Sequence, residues 1–524
     1  MIPNNPQSIR RLLARCLSVI GGLVPVVFML NHMESFGDEG ASDGGGFYQR
    51  VAYPGEMDAQ LAITGPSLVK VNTGIDLQVV SLGKDGELCD LSVPPAIICE
   101  GPIMPDMVDS ACTSSIPLRR VAKGLYHPVP TPSFSKPGYY RLTVFDPSGT
   151  ALPFGIPISA GAEAPSLLLH WGDLHGHSTL SDGTRTPDQY YDWARDVARL
   201  DMVALTDHNW ALDDAKIEQL KLLCRKWYQP GRFVTFLSFE WALGNARTTP
   251  ARGRSDHKCI LFRGDDEDFS PWIPQWQNTP SVRELWNLLK GRDAIAIPHH
   301  TGLPHDTFYG TNSAHHNEQY ERLAEVFSDW GSSETPSDRY PLPETQPGSF
   351  IRDALAMGCH LGLAGGSDTH RSRPGLNAIP AAGHPYALTA LTAVMAPGRT
   401  REEIWTALYN RCCYATSGGR RHILDFALNE SVMGSRITRK DPSLPSRLLV
   451  TIAGASDIKE IVIIKNSAPA AVFPGNGWCQ SIEWTDMSSG GRKEDCYYVR
   501  VEFMDTSMAW SSPVWVSPNA EFRE

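Results

Sequence analysis

The stretch "WGDLHGHSTLSDG", residues 171–183, places two histidines and two aspartates within thirteen residues, directly after an apolar run. Polar and charged side chains stay in a protein interior only where hydrogen bonds or a bound ion compensate for the loss of water. The preceding apolar run is typical of a strand, so these side chains lie where that strand ends. The stretch therefore predicts a metal site at a strand end.

The residues that follow alternate between helical and strand patterns. Thr186 precedes Pro187 and can cap a helix, and the strand-like run "MVALT" comes next. The same alternation recurs where "VRELWNLLK" leads into "AIAIP" and where "FIRDALAM" leads into "HLGLAGG". With the other apolar runs, the strand count reaches about seven or eight, which predicts an α/β fold with a parallel barrel over residues 166–425.

Both flanks of this region show β-type patterns. Short apolar runs separated by turn residues predict a β-sandwich-like domain over residues 46–165 and a C-terminal β domain over residues 426–524. We expect residues 1–45 to be a leader or N-terminal extension, in which arginines precede the apolar run "CLSVIGGLVPVVFML". That run is too short for a comfortable membrane span, so we expect no transmembrane segment. A signal or anchor and a packed segment both stay open, as does a cytoplasmic or exported location.

The composition narrows the class of function. The chain has 524 residues, a formal net charge of −11, 42% hydrophobic residues and 20% charged residues, as in a folded protein of several domains. Affinity for nucleic acid rests largely on Lys and Arg contacts to phosphates, so the acidic balance argues against a nucleic-acid partner. The sequence contains neither a G-x-S-x-G nucleophile motif nor a P-loop. It does not indicate an oligomeric state.

Polar residues recur wherever an apolar strand pattern ends. They are His175, His177, His208, Glu240, His299, Asp368 and His370. The carboxyl ends of barrel strands share one face, so we expect these residues to converge. Imidazole nitrogens and carboxylate oxygens form a ligand set for zinc, manganese or iron. A lone histidine is more often structural, which is our expectation for His305, His315, His316, His360 and His422.

The motifs "DLHGHSTLSDG", "ALTDHN", "SFE", "IPHH" and "GGSDTH" resemble the successive metal motifs of the PHP (polymerase and histidinol phosphatase) superfamily. The resemblance implies a distorted (β/α)7 barrel with a metal-dependent hydrolase site. The sequence segments around these motifs resemble a branch of this superfamily in which one β module precedes the barrel and another follows it.

The resemblance also implies nine ligands for a trinuclear centre of two to three divalent ions, Zn, Mn or Fe. His175, His177, Glu240 and Asp368 would hold the first ion. Glu240 would bridge to a second ion held by His257 and His299, and His300 could replace His299. Asp182, His208 and His370 would hold the third. We expect Asp173 and Asp207 to orient the imidazoles from behind.

Clustered cations predict a hydrolase. A metal-bridging hydroxide can attack an organic phosphate, and the ions stabilise its anionic oxygens. We expect Glu240, Asp368, Arg371 and His384 to act in catalysis, with His384 as a proton donor. Other candidate phosphate-binding residues are Arg185, Arg373, and Arg252 or Arg254. A phosphoesterase with a small or medium-sized anionic substrate is the main hypothesis. Amide, ester or lactone hydrolysis and a non-catalytic binding scaffold are the alternatives.

Overall fold

Strands dominate the described part of the chain. A computed structural model describes residues 59–517 apart from 84, 104–111, 146–150, 243–256, 270–281, 304–315, 344, 377–385, 387–388, 440–444 and 488–492. The leader over residues 1–45 lies outside the described residues, as do Arg252, Arg254, His305, His315 and His384.

The N-terminal region is a single eight-stranded sheet. Its strands are β1 Ala59–Thr64, β2 Leu68–Lys70, β3 Gln78–Gly83, β4 Ala96–Ile103, β5 Cys112–Ala122, β6 Leu125–Pro128, β7 Gly138–Phe145 and β8 Ala151–Gly161. They pair in the order β1-β3-β6-β5-β4-β7-β8-β2. Along β7, buried residues alternate with half-buried ones, because successive side chains point to opposite faces of a sheet. The described residues of this region contain strands and no helix, and the β-sandwich-like domain with its boundary at residue 165 stays a prediction.

The central region carries all the described helices. The α-helices are α1 Pro187–Asp192, α2 Asp214–Trp227, α3 Val282–Leu289, α4 Ile351–Ala356 and α5 Arg401–Tyr409, and α1 continues as a π-helix over Trp193–Val197. Asn209–Ala211 forms a 3-10 turn. The predicted cap of α1 is present, since the Thr186 hydroxyl accepts a hydrogen bond from the backbone N–H of Gln189.

Ten strands accompany these helices. They are β9 Leu168–Asp173, β10 Met202–Ala204, β11 Val234–Ala242, β12 His257–Phe262, β13 Ala294–Pro298, β14 Leu323–Ser328, β15 Gly331–Ser332, β16 Gly362–Gly365, β17 Ala390–Ala396 and β18 Cys413–Ser417. Strands β9, β10 and β11 are parallel neighbours. The pairs β11·β12, β12·β13 and β9·β17 are antiparallel, and β14 and β16 pair in parallel within a separate three-stranded sheet.

These pairings do not show the expected (β/α)7 barrel. The described residues show three consecutive parallel strands followed by reversals of direction, in a fold that is richer in strands and poorer in helices than such a barrel. A short, continuous apolar run indicates a strand that is buried on both faces. It does not indicate whether the neighbouring strand runs parallel or antiparallel to it.

The C-terminal region extends the central sheet. Its strands are β19 Ile423–Leu428, β20 Ser431–Val432, β21 Arg436–Thr438, β22 Ser446–Ala453, β23 Ile458–Lys465, β24 Ala468–Pro474, β25 Cys479–Asp486, β26 Asp495–Phe503, β27 Met508–Ser511 and β28 Val514–Ser517. Strand β27 pairs with β18, so one thirteen-stranded sheet runs from the central region into this one. The described residues, from 59 to 517, belong to one compact unit, and the division of the chain into three domains stays a prediction.

Of the residues that the structure describes, none belongs to a helix with the length and apolar character needed to cross a bilayer.

Candidate metal centre

The parallel strands β9, β10 and β11 carry the first polar side chains of the site. His175 and His177 follow β9, His208 follows β10, and Glu240 lies near the end of β11. A β-bridge between His208 and Glu240 and another between Gly176 and Thr369 tie these segments together. Because parallel strands end at the same edge of a sheet, residues far apart in sequence meet there.

Glu240 lies at the centre of a group of histidines. Its side chain is 1% exposed, and its two oxygens face different imidazoles. Oε1 lies 2.7 Å from His257 Nδ1 and 3.1 Å from His299 Nε2. Oε2 lies 3.2–3.4 Å from nitrogens of His175, His177 and His208. A carboxylate that presents each oxygen to a separate set of imidazoles has the arrangement of a bridging ligand.

Two aspartates complete the cluster. Asp368 Oδ1 lies 3.2 Å from His175 Nε2 and 3.0 Å from His177 Nε2. Asp182 Oδ2 lies 3.6 Å from His208 Nε2 and 3.4 Å from His370 Nε2. The structure therefore brings all nine predicted ligands into one cluster, and their roles as ligands stay a prediction.

Among the described residues, the potential ligand atoms fall into four groups in which all atoms lie within 4.8 Å of one another. The groups are His175, His177, Glu240 and Asp368; His177, Asp182, His208 and His370; His257, His299 and His300; and His175, Cys259 and His299. Each group could hold a metal ion. His300 belongs to the same group as His257 and His299. The choice between His299 and His300 as a ligand of the second ion therefore stays open.

The residues present fit divalent ions. A carboxylate accepts about four hydrogen bonds, fewer than the five imidazole nitrogens near Glu240. The Nδ1 atom of His177 is buried without a hydrogen-bond partner, and Asp182 Oδ1 lies 3.9 Å away from it. Buried polar atoms of this kind are costly unless something occupies the space between them.

The side chains of the cluster shift one another's pKa values in both directions. Burial lowers the pKa of His208 to about 4, in spite of the Glu240 carboxylate beside it. Burial also opposes the charge on His370, but the hydrogen bond to Asp182 and the charge of Asp368 outweigh it and raise the pKa to about 10. Although burial alone raises the pKa of Glu240, the surrounding imidazoles hold it well below its usual value. The imidazoles thus keep Glu240 charged and available to bind cations.

Backbone geometry at the last motif is unusual. Asp368 has a φ of 54°, in the left-handed region that aspartate adopts more readily than most residues. Nearby, a Cβ atom on Gly366 would lie 2.1 Å from Glu325 Oε2 and 2.7 Å from His175 Cβ. The "GGSDTH" motif therefore needs glycine at 366 because two buried side chains approach its backbone.

Glu325 and Cys259 are two residues of the site that our sequence analysis misses. Glu325 lies within β14 and is hydrogen-bonded to His175 Nδ1 at 3.0 Å. Cys259 Sγ lies 3.7 Å from His299 Nδ1, on the side of the ring away from Glu240. A charged residue inside the apolar run "LAEVFS" is a signal that could have found Glu325. Cys259 follows His257 by two positions, so both side chains lie on the same face of β12.

The carboxylates of Asp173 and Asp207 form hydrogen bonds to the loop segments that carry the candidate ligands, and not to imidazole rings. Asp173 accepts hydrogen bonds from the backbone N–H groups of His175, Ser367 and Gly375 at 2.9–3.3 Å. Asp207 accepts from the backbone N–H and the hydroxyl of Ser178 at 2.8 and 2.6 Å. The sequence leads us to expect contacts to imidazole rings, whereas both carboxylates fix the segments that carry the ligands.

Two candidate phosphate-binding arginines already have a carboxylate partner. Arg185 forms a 2.6 Å ion pair with Glu87, and Arg373 pairs with the same carboxylate. Both guanidinium groups also lie over the ring of Trp193. Glu87 lies after β3, so the N-terminal region contacts the loops beside the metal cluster. The backbone N–H of Arg371 donates to the Thr369 hydroxyl at 3.2 Å, next to His370.

The described histidines that we expect to be structural lie in other contacts. His316 is hydrogen-bonded to Glu321, His360 to Glu318 and Glu494, and His422 to Ser507. None of these three belongs to a potential metal group among the described residues.

Comparison with other proteins identifies relatives of similar sequence. A family model described as a protein of unknown function, DUF3604, matches residues 206–338. An uncharacterized protein of Chlamydia trachomatis serovar D is 26% identical over 414 residues, and an uncharacterized protein of Chlamydia pneumoniae is 26% identical over 434 residues. Each match covers 75% of this chain and 64% of the relative, so the chain spans slightly less than two thirds of these curated relatives.

Two solved structures show a limited likeness. One is a two-domain protein from Bacteroides vulgatus that contains a predicted PHP-like metal-dependent phosphoesterase; it is 15% identical with a TM-score of 0.37, covering 67% of this chain and 96% of that chain. A β-glucuronidase of Bacteroides uniformis is 9% identical with a TM-score of 0.18, covering 88% of this chain and 61% of that chain. The function therefore has to be argued from the site itself.

Proposed function

We propose that this chain is a metal-dependent hydrolase of the PHP type and that it acts as a phosphoesterase on a small or medium-sized organic phosphate. The observation that carries the proposal is the buried Glu240 carboxylate, whose two oxygens face two different sets of imidazoles. Such an arrangement suits two ions a short distance apart, which is the architecture of many phosphate-cleaving sites.

The chain supplies donors for two to three ions, with Zn, Mn or Fe as the expected metals. His175, His177, Glu240 and Asp368 form one set; Glu240, His257 and His299 form a second; Asp182, His208 and His370 form the third. Bound divalent ions would lower the pKa of water and neutralise the charge of a phosphate.

The chain's own residues would position the substrate. Arg371 adjoins His370, where a guanidinium can bind phosphate oxygens through two parallel hydrogen bonds. Glu240 and Asp368 are buried and Asp182 is exposed, each beside imidazoles, and bound divalent ions would offset their negative charge before an anionic substrate binds. His384 remains our proposed proton donor.

The engagement of Arg185 and Arg373 with Glu87 supports a second candidate function. Their positive charge is partly neutralised by that carboxylate, which lessens the preference for an anionic substrate. An amide, ester or lactone has a neutral reacting group and needs less positive charge around it. The same metal centre could hydrolyse such a substrate.

A screen of reaction classes tests the proposal. Metal-reconstituted protein is assayed with phosphomonoesters, phosphodiesters, amides, lactones and carboxylic esters. We expect turnover of phosphate esters that disappears in Asp368→Asn, because a contaminating hydrolase would survive that substitution. Asp457→Asn changes an exposed aspartate that pairs with Arg141 and should leave turnover unchanged. Turnover of carbonyl substrates alone, again dependent on Asp368, would replace the phosphoesterase proposal with the second candidate.

A further inference from the structure

A cavity of about 560 Å³ lies between the N-terminal sheet and the amino ends of the central strands. Ser67 and Gln78 line it from the N-terminal side, and Leu168, His170 and Asp201 line it from the start of β9 and from just before β10. Cavities that bind small molecules in proteins have volumes of roughly 300–1,000 Å³, so this one has the size of a ligand site.

The cavity is separate from the candidate metal centre. His170 lines the cavity and precedes His175 by five positions along β9 and the segment after it. At about 3.3 Å per residue in a strand, the two positions lie roughly 16 Å apart. The metal cluster forms at the carboxyl ends of the same strands, so any ligand of this cavity would bind at the other end.

The cavity carries an excess of positive charge in an acidic chain. Five arginines line it, and we call it the arginine cavity: Arg195, Arg199, Arg232, Arg399 and Arg421. Three aspartates line it as well, which leaves two more cationic than anionic side chains, while the chain as a whole has a net charge of −11. A local excess of this sign attracts anions.

The ion pairs in the arginine cavity do not neutralise all of its positive charge. Asp196 is shared between Arg195, at 2.5 Å, and Arg232, at 3.3 Å. Arg399 has Asp201 as its own partner at 2.7 Å, and Arg199 has Asp76. Because one carboxylate serves two guanidinium groups, their positive charges are only partly balanced.

Arg421 is the most deeply buried of the five. Its side chain donates three hydrogen bonds of 2.9 Å, to the carbonyl oxygens of Gly65, Ala198 and Arg199. The residue is 5% exposed, and burial lowers its pKa to about 10. Carbonyl dipoles solvate the guanidinium without neutralising it, so a buried positive charge remains at the cavity wall.

We propose that the arginine cavity is a binding site for a small organic anion. Its oxyanion group, a phosphate or a carboxylate, lies against the arginines, whose planar guanidinium groups match such groups in geometry. Its apolar part lies against Leu125, Leu168 and Leu200, which also line the cavity. The proposal is independent of the metal centre.

Calorimetric titration of the full chain as purified, at constant ionic strength, tests this site with inorganic phosphate and with phenylphosphonate. The key variant is Leu168→Glu, which places a negative charge at a cavity-lining position without removing any arginine. Leu167→Glu is the matched control, because Leu167 is 42% exposed and does not line the cavity. Asp368→Asn separates this site from anions that bind at the metal centre.

We expect a saturable site for phenylphosphonate that persists in Leu167→Glu and in Asp368→Asn but is weakened about tenfold or more in Leu168→Glu. Phenylphosphonate should bind more tightly than inorganic phosphate because of its apolar ring. Should Leu168→Glu fail to fold, Arg232→Gln, at a side chain that is 65% exposed, should weaken binding several-fold. If Leu168→Glu and Arg232→Gln bind phenylphosphonate as tightly as the wild type, the proposal is overturned. Loss of all saturable binding in Asp368→Asn would also overturn it. If inorganic phosphate binds as tightly as phenylphosphonate, the proposal that the ligand has an apolar part is overturned.

Discussion

Glu325 Oε2 lies 3.0 Å from His175 Nδ1, while Nε2 of the same imidazole lies 3.2 Å from Asp368 Oδ1. All three side chains are buried. A hydrogen bond to one ring nitrogen fixes the tautomer and the orientation of an imidazole, so that the other nitrogen can bind a metal. Glu325 is therefore the group that turns His175 toward the proposed first metal position.

The first prediction concerns this orientation. Glu325→Gln keeps the size of the side chain but removes its charge, so we expect metal affinity to fall about 10- to 100-fold. Chelator competition followed by elemental analysis measures this change. Glu334→Gln is a matched control, since Glu334 is also buried but bonds to Tyr498 and Trp510. If both variants lose affinity equally, Glu325 acts only through stability.

The second prediction concerns the close approach at Gly366. A methyl group there would collide with Glu325 and His175, so Gly366→Ala should reduce metal affinity as Glu325→Gln does and destabilise the fold by about 1–3 kcal/mol. Urea unfolding and chelator competition measure the two effects. At Gly264 an added Cβ would meet only Glu267 Oε1, at 3.8 Å, so Gly264→Ala should change neither. Unaltered metal binding in Gly366→Ala would contradict the packing argument.

The third prediction concerns Glu240. Glu240→Gln replaces one carboxylate oxygen with an amide nitrogen that cannot serve as a ligand, so the bridge between the two imidazole sets should be lost. We expect two to three ions per wild-type chain and at least one fewer in the variant, with turnover reduced on the order of 100-fold. Elemental analysis and steady-state kinetics measure these quantities, with Glu334→Gln again as control. Full metal content in Glu240→Gln would show that Glu240 does not bridge.

The sequence predicts the membership of the polar cluster better than the fold around it. His175, His208 and Asp368 each follow an apolar run. The end of such a run predicts where a strand ends, so the sequence locates these residues at strand ends. The described residues do not show the expected parallel barrel. The sequences of β12 and β13 resemble those of any buried strand, although both strands pair antiparallel with their neighbours. Partners such as Glu325 lie inside a strand, where only the tertiary structure shows which side chain they meet.

The fourth prediction concerns a fully buried ion pair outside the site. Lys258 Nζ lies 3.1 Å from Glu321 Oε1, and neither side chain is exposed. Lys258→Met removes the cation beside Glu321 Oε1 and leaves His316, which lies beside the other oxygen, so we expect a loss of about 3 kcal/mol in the free energy of unfolding, measured with urea. Lys459→Met removes an exposed pair with Glu502 and should cost less than about 1 kcal/mol. Similar losses in both variants would show that burial does not decide the cost.

The fifth prediction concerns the pH dependence of stability at His316. Burial lowers the pKa of this imidazole, but the carboxylates of Glu318 and Glu321 outweigh burial and raise the pKa from 6.5 to about 9. Because the folded chain binds this proton more tightly than the unfolded chain, the stabilisation is complete below about pH 6.5 and is lost as the pH rises through about 9. His316→Gln should therefore cost on the order of 3 kcal/mol at pH 6 and much less at pH 10. Urea unfolding of both proteins at pH 6, 8 and 10 measures the difference, and His360, which shares Glu318, is present in both. A difference that stays constant across this range would mean that His316 stabilises the fold through packing and neutral hydrogen bonds, and not through its charge.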